Sequence, residues 1–484
     1  MNRDNYYFCK PGALIVQVVL TVLLSIAVGS AEISTTEVRN IGSRRELLVD
    51  DYLVDQLNGV ELKLQKPIMR EVALVHDEAW EGNVCCYHTV FQDGDIYRMY
   101  YRGAHYDEEQ QKQTHTEVVC YAQSSDGINW EKPKLNIVDF EGSKNNNIIW
   151  TGIGTHNFSP FKDANPAAKA DEKYKAIGSG SGGLYIFKSP DSIHWSLLND
   201  KPVITEGDFD SQNLAFWDAT HQRYVDFHRK MRNGYRDIMT CTSNDFINWT
   251  DPVWLDYPDA PPEHLYTNQI VAYSRAPHFF IGFPKRFIPS RNFAGHHYPG
   301  VSDGVFMTSR DGRSFKRWTE AVIRPGLQKE RWVNRNNMTA WGIVVTKSGI
   351  PGTGNELSIY STEGYYRGKD CQIRRFTYRL DGFVSLNAPY KGGEMVSKPL
   401  IFTGKELVVN FSTSAAGSIL VEIQNASSEA VEGYKLDDCR ELVGDEIERT
   451  VIWKNSSDVS KLAGKPVRLR ILMKDADLYS LRFK

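Results

Sequence analysis

The sequence predicts an all-β fold, and three observations carry that prediction. A short segment of serine, one residue, aspartate and then an aromatic recurs four times: "SSDGINW" at 124–130, "KSPDSIHW" at 188–195, "TSNDFINW" at 242–249 and "TSRDGRSF" at 308–315. Each copy closes a run with strand character, "VVCYAQS", "LYIFKS", "IMTCTS" and "VFMTS", rich in the β-branched and aromatic residues that favour a pleated surface. After residue 32 the 3.6-residue apolar period of an amphipathic helix is almost absent.

The chain opens with Arg3 and Lys10, followed by the apolar run "ALIVQVVLTVLLSIAVGSA" from Ala13 to Ala31. A positive start, an apolar middle and small residues at the end describe a secretory signal over 1–31, with an uncleaved anchor as the alternative. A secreted or periplasmic location follows from the signal. No later stretch is apolar enough to span a bilayer as a helix.

The repeated aspartates Asp126, Asp191, Asp245 and Asp311 are spaced by 65, 54 and 66 residues. Units of this length made of short strands hide their faces only against neighbours, which predicts a radial array of sheets. Hairpins precede the motifs in "HTVFQDGDIYRMYYRG", "KYKAIGSG", "NLAFWDATHQRYVDFHRK" and "HFFIGFPKRF". A fifth unit reads "WGIVVTKSG" and "NELSIYSTEGYY", with Ser361 and Glu363 in place of the serine and aspartate. The expected architecture is a five-bladed β-propeller over 32–388. Past "RRFTYRLDGFVSL" the texture changes to alternating strands such as "KELVVNFSTS" and "GSILVEIQNA", expected to form a small antiparallel β-sandwich over 389–484.

Composition narrows the function. Lys plus Arg number 57 against 60 Asp plus Glu, a net charge of −3, so no overall field favours nucleic acid or an anionic membrane. No GxGxxG, Walker, HExxH or GxSxG motif is present. Of seven cysteines, at 9, 85, 86, 120, 241, 371 and 439, none forms a CxxC pair, so neither a zinc ribbon nor a disulfide scaffold is indicated, and most are expected to be buried and apolar in role. No cofactor is expected.

A strand followed by S-x-D-x-x-x-W, in a five-unit all-β array, resembles the five-bladed propeller glycoside hydrolases, which include the invertase-like family 32 and the arabinanase and xylosidase-like family 43. "LLVDDYLVD", "WEGN" and "RRFTYRLDGFVSL" further resemble a large set of exported bacterial propeller proteins. The resemblance implies a carbohydrate substrate and a site where first strands begin, with acidic residues converging there. Glycoside hydrolysis needs one carboxylic acid to protonate the leaving oxygen and a second as base or nucleophile. In each unit the matching position is an acid near the start of the first strand: Glu81 in "WEGNVCCYH", Asp163 in "FKDANP", Asp210 in "GDFDSQN" and Glu263 in "PPEHLYTNQ".

Trp80, His88, Tyr266, Asn268 and Glu356 are the expected sugar contacts, since sugar hydroxyls need paired polar partners and rings stack on aromatic faces. The resulting expectation is an exported glycoside hydrolase acting on a poly- or oligosaccharide; the alternative is a non-catalytic carbohydrate-binding propeller. Oligomeric state is left open. The repeated aspartates are assigned a structural part, accepting backbone N–H bonds in a tight turn.

Overall fold

The computed structural model describes residues 37–484, so the expected signal segment at 1–31 lies outside the described residues. Among them every long element is a strand, and the helical pieces are 3-10 turns of three or four residues. No described helix is long and apolar enough to cross a membrane.

The strands divide into small antiparallel sheets in chain order. The first contains Cys86–Asp93, Ile96–Gly103, Val118–Ser124 and Ile148–Trp150. The second runs Ser159–Lys162, Tyr174–Gly180, Gly183–Ser189 and Ser196–Leu197. The third runs Leu214–Asp218, Arg223–Arg232, Tyr235–Ser243 and Val253–Trp254. In the fourth unit the ladder is interrupted. His264–Thr267, Lys285–Ile288 and Val301–Gly304 form one short sheet, and Val271–Ala272, Phe280–Gly282, Met307–Ser309 and Phe315–Arg317 another. Pro284, between Gly282 and Lys285, has no N–H to donate to a ladder.

The fifth sheet orders Val344–Lys347, Asn355–Glu363 and Gln372–Arg379, and its outer strand is Ile68–Val75, from the other end of the chain.

First strands lie against one another: Ser159–Lys162 touches both Cys86–Asp93 and Leu214–Asp218, and Val344–Lys347 touches Cys86–Asp93. Apolar residues fill the space between sheets. One buried cluster joins Phe161, Ile177, Leu214, Phe227, Phe246, Phe280 and Trp341 from the second to the fifth units. Another joins Tyr101, Cys120, Val344, Tyr360 and Ile373, sealing the first sheet to the fifth. The six described cysteines are buried and unpaired.

The serine–aspartate segments form the same turn four times. Asp126 Oδ1 accepts the N–H groups of Ile128 and Asn129 at 2.8 Å each, and Ser124 Oγ accepts that of Gly127 at 2.9 Å. Asp191, Asp245 and Asp311 repeat the pattern. The third residue after each serine has φ near +70°: Gly127 and Gly312, but also Ser192 (72°) and Phe246 (69°). In the fifth unit the expected Ser361 and Glu363 do not make this turn. They lie in a second strand, and Glu363 pairs with Arg374 at 2.8 Å. The aspartate that follows the third strand there is Asp381, bound to Tyr273 (2.7 Å), Arg275 (2.8 Å) and Ser480 (2.8 Å).

The C-terminal strands Val384–Ala388, Gly393–Ser397, Leu400–Phe402, Leu407–Asn425, Asp445–Thr450 and Val467–Phe483 share one ten-stranded sheet with Arg39–Gly42, Glu46–Leu47, Val54–Asn58 and Glu61–Leu64. Leu62 faces Leu386, and Leu57 faces Met395. Strand pairing therefore crosses the expected boundary at 388, because the N-terminal strands find their hydrogen-bond partners more than 300 residues away. The sheet has its own core, centred on Phe402, Phe411, Trp453, Leu469 and Phe483.

Candidate functional site

Successive first strands enter the sheets from one end, and a polar site forms where they start. Tyr87 sits in a bulge between Cys86 and Thr89 with φ of 56°, a conformation an aromatic residue seldom adopts, and the bulge re-aims its side chain. The phenol donates to the backbone oxygen of Asp210 at 2.9 Å and meets Tyr266 Oη at 2.8 Å. With the Tyr87 proton committed to the carbonyl, Tyr266 is the donor of that second bond.

His156, in the turn before the second sheet, brings Nε2 to 3.2 Å from the same Asp210 oxygen and Nδ1 to 3.0 Å from Glu117 Oε2. Glu117 also pairs with Arg102 at 3.3 Å. Against the upward push of burial, the His156 hydrogen bond and the Arg102 charge hold the Glu117 carboxyl down at about 2. The Asp210 side chain is 63% exposed and its carboxylate meets Arg229. A groove of about 710 Å³ opens beside these groups, lined by Glu117, His156, Thr155 and Gly152–Gly154.

Cations surround the two phenols. Arg102 lies 5.1 Å over Tyr87, Arg229 5.4 Å over Tyr266, and Lys285 Nζ 4.2 Å over Tyr266. Arg335 donates to Tyr365 Oη at 3.1 Å and Tyr366 Oη at 3.2 Å. Lys285 is fully buried, and its amine donates to Asn334 Oδ1 at 3.0 Å. Burial, with the Arg335, Arg236 and Arg229 charges adding to it, pushes the Lys285 amine well below its ordinary value. An aromatic wall continues outward: Tyr366 stacks on Tyr298 at 5.4 Å and on His296 at 4.9 Å.

Below the site the centre is closed by amides. Gln212 donates to the Tyr87 backbone oxygen at 3.1 Å, and Gln269 donates to Gln212 Oε1 at 2.8 Å and Thr339 O at 2.6 Å. At the far ends of the first strands lies a cavity of about 420 Å³, bounded by Thr89–Gln92, Pro160, Phe161, Val271–Ser274 and Trp341–Val345. Its lining includes no carboxylate, imidazole or cation.

Of the sequence-expected residues, Asp210 and Tyr266 come together here. The others do not. Glu81 is fully buried, bound to Tyr101 Oη at 2.5 Å and to Lys132 Nζ at 2.6 Å. Asp163 follows the second sheet's first strand rather than starting it, and its buried carboxylate takes Lys175 Nζ at 2.5 Å and Tyr224 Oη at 2.6 Å. Glu263 pairs with Arg286 at 3.1 Å and with Arg317, in a side groove of about 250 Å³.

Trp80 donates to Asn147 Oδ1 at 2.6 Å and packs on Phe140. His88 is buried, Nε2 to Nε2 at 3.0 Å from His76. Asn268 is buried and holds the Phe227 carbonyl at 3.2 Å. Glu356 pairs with Arg375 at 2.8 Å and Arg70 at 3.2 Å.

Reading the sequence missed Tyr87, Arg102, Glu117, His156, Arg229, Lys285, Arg335, Tyr365 and Tyr366. One signal was available: a cation after an aromatic recurs in the second strands of three units, "YYR", "DFHR" and "GFPK". Antiparallel pairing returns the second strand toward the start of the first in the first unit, with Cys86 opposite Arg102, while Lys285 stands opposite Thr267, the last residue of His264–Thr267.

Among the described residues, two clusters are of the kind that can hold a metal: Glu108, His296 and His297 at the rim, and the buried Asp226, His228 and Cys241.

No protein-family model matches the chain, and no curated protein matches it. Solved structures do. They include the catalytic domain of a glycoside hydrolase family 62 alpha-L-arabinofuranosidase from Coprinopsis cinerea, at 10% identity and TM-score 0.42 over 65% of this chain and 97% of that one. A glycoside hydrolase family 32 beta-fructofuranosidase from Bombyx mori is similar at 9% identity and TM-score 0.40, over 87% of this chain and 94% of the other. An endo-arabinase from Bacteroides thetaiotaomicron is similar at 10% identity and TM-score 0.38, over 64% and 98%.

Proposed function

We propose that this protein is an exported glycoside hydrolase, that its five sheet units are the blades of a propeller joined to a C-terminal sandwich, and that its active site is the mouth around Tyr87. The observation that carries the reading is the meeting of two acidic residues at His156: the Glu117 carboxylate at its Nδ1, and at its Nε2 the backbone oxygen of Asp210, whose own carboxylate meets Arg229. Export is supported by the charged, apolar and small-residue succession at 1–31.

Glycosidic cleavage requires a proton donor for the leaving oxygen and a second carboxylate to act on the anomeric carbon or on a water. Asp210, whose side chain is exposed to solvent, is assigned the proton donor. Glu117, held ionised by His156 and Arg102, suits base or nucleophile. Tyr298, Tyr366 and His296 supply faces for sugar rings. Glu81, Asp163 and Glu263 are assigned to holding the sheets together through their ion pairs.

The test is a panel of plant and algal polysaccharides with product analysis. On a glycan that the wild type cleaves, Asp210→Asn and Glu117→Gln each lower kcat by about 100-fold or more with unchanged circular dichroism; full turnover in either variant overturns the assignment. A second reading, a glycan-binding propeller without turnover, is favoured by one observation: of the four acids expected from sequence, only Asp210 opens on the mouth. Glycan binding by the wild type with no product from any substrate supports that reading.

A further inference from the structure

The charge at the mouth runs against that of the chain as a whole. Arg102, Arg229, Arg236, Lys285 and Arg335 gather there in a protein of net charge −3. Two carboxylates answer them, Glu117 to Arg102 and Asp210 to Arg229. Among the described residues Arg236, Lys285 and Arg335 have no carboxylate partner. A guanidinium keeps its charge in a protein, so Arg236 and Arg335 stand at the mouth as cations without a counter-charge.

Hydrogen bonding gives the same answer independently. Cationic side chains are donors only, and the buried Nε groups of Arg102, Arg229 and Arg236 meet no acceptor. Lys285 has three N–H donors and only the Asn334 side chain to take one. A neutral sugar hydroxyl brings a donor along with its acceptor lone pairs. An oxyanion presents acceptors alone, and a guanidinium matches a carboxylate or sulfate through two parallel bonds.

We propose that the mouth takes an acidic glycan, one whose sugar carries a carboxylate or a sulfate, with Arg335 and Arg229 receiving that group and the Lys285 amine lying behind Tyr266. The inference rests on reading this mouth as the glycan site, and it adds the substrate class. Arg335 reaches the anion from beside Tyr365 and Tyr366, so the ring of the same sugar residue lies along the aromatic wall.

Titration calorimetry on the full chain at low salt tests it with two matched pairs: an oligogalacturonate and its methyl ester, and a sulfated galactan oligosaccharide and its desulfated form. The acidic member of at least one pair is expected to bind about ten-fold tighter or more than its neutral partner, and the margin to shrink as salt rises. The pair that responds distinguishes carboxylate from sulfate.

Arg335→Gln and Lys285→Met, each checked for fold by circular dichroism, are expected to bring the ratio of acidic to neutral affinity within the responding pair down toward one. Equal affinity within both pairs, or a preference that survives both substitutions, overturns the inference and leaves the glycan reading standing. Binding of neither member of either pair removes both.

Discussion

At the scale of single residues the four aspartate turns make the clearest predictions. Burial pushes the Asp126 carboxyl up, but the N–H and side-chain bonds of Asn129 and the N–H of Ile128 outweigh it and hold it at about 2. Asp191 and Asp245 are held at about 2 in the same way. A carboxyl depressed in the folded state stabilises fully above its unfolded value near 4 and loses that contribution as pH falls toward 2. Stability followed by denaturant titration should therefore drop across pH 4 to 2. Asp126→Asn keeps an acceptor and removes one titrating group, so the drop becomes shallower. Asp126→Ala removes the acceptor and is expected to cost about 1 kcal/mol at neutral pH, as loss of a comparable helix cap does.

Ser192 gives the opposite sign. It holds φ at 72° and its buried hydroxyl has no partner, where two of the other turns use glycine. Ser192→Gly should stabilise by roughly 1 kcal/mol, read as a higher denaturation midpoint. These turns were legible because serine, aspartate and the positive-φ residue are consecutive in sequence. Asp163 was misread for a related reason. A short-range pattern places it near a first strand, yet only the fold reveals that it follows that strand and meets Lys175 and Tyr224.

Among elements, the informative one is Ile68–Val75. It pairs with Gln372–Arg379, Leu74 opposite Ile373, and so joins the beginning of the chain to the last sheet. Leu74 is 6% exposed and packs with Tyr360, Cys371 and Ile373. Leu74→Ala is expected to cost 2 to 4 kcal/mol, the usual range for deleting a buried leucine side chain, and limited proteolysis should then cut first between the first and fifth sheets. The hairpins of the first and third units were readable, since their strands are neighbours in sequence, whereas the one expected at "HFFIGFPKRF" is divided between two sheets. The interruption in the fourth unit leaves only Pro284 as a trace. The second strands hid the site: Arg102, Arg229 and Lys285 each occupy strand positions that read equally well as solvated faces, and only their return to one mouth separates function from solubility.

For the molecule as a whole, the ten-stranded sheet sets the limits. Its strands come from residues 39–64 and 384–483, so Glu46, buried and bound to Arg310 and His278, ties it to the fourth unit. A chain ending at 388 leaves Arg39–Gly42 and Glu46–Leu47 without the partners they have in Leu400–Phe402 and Val467–Phe483. Such a truncation is expected to be insoluble or protease-sensitive on expression, while a soluble, glycan-binding 1–388 fragment would contradict the interdependence described here. None of this pairing was visible in the sequence, where a change of texture near 388 is local and a partnership across 300 residues leaves no local mark.

The same weave also bears on time. A ribosome delivers residues 39–64 first and their partners last, so those strands wait, with exposed edges, through the synthesis of all five units. Completion of the outer strand Ile68–Val75 waits almost as long. Folding of this chain is therefore expected to finish only after synthesis ends, and, if it is exported through a membrane, only on the far side.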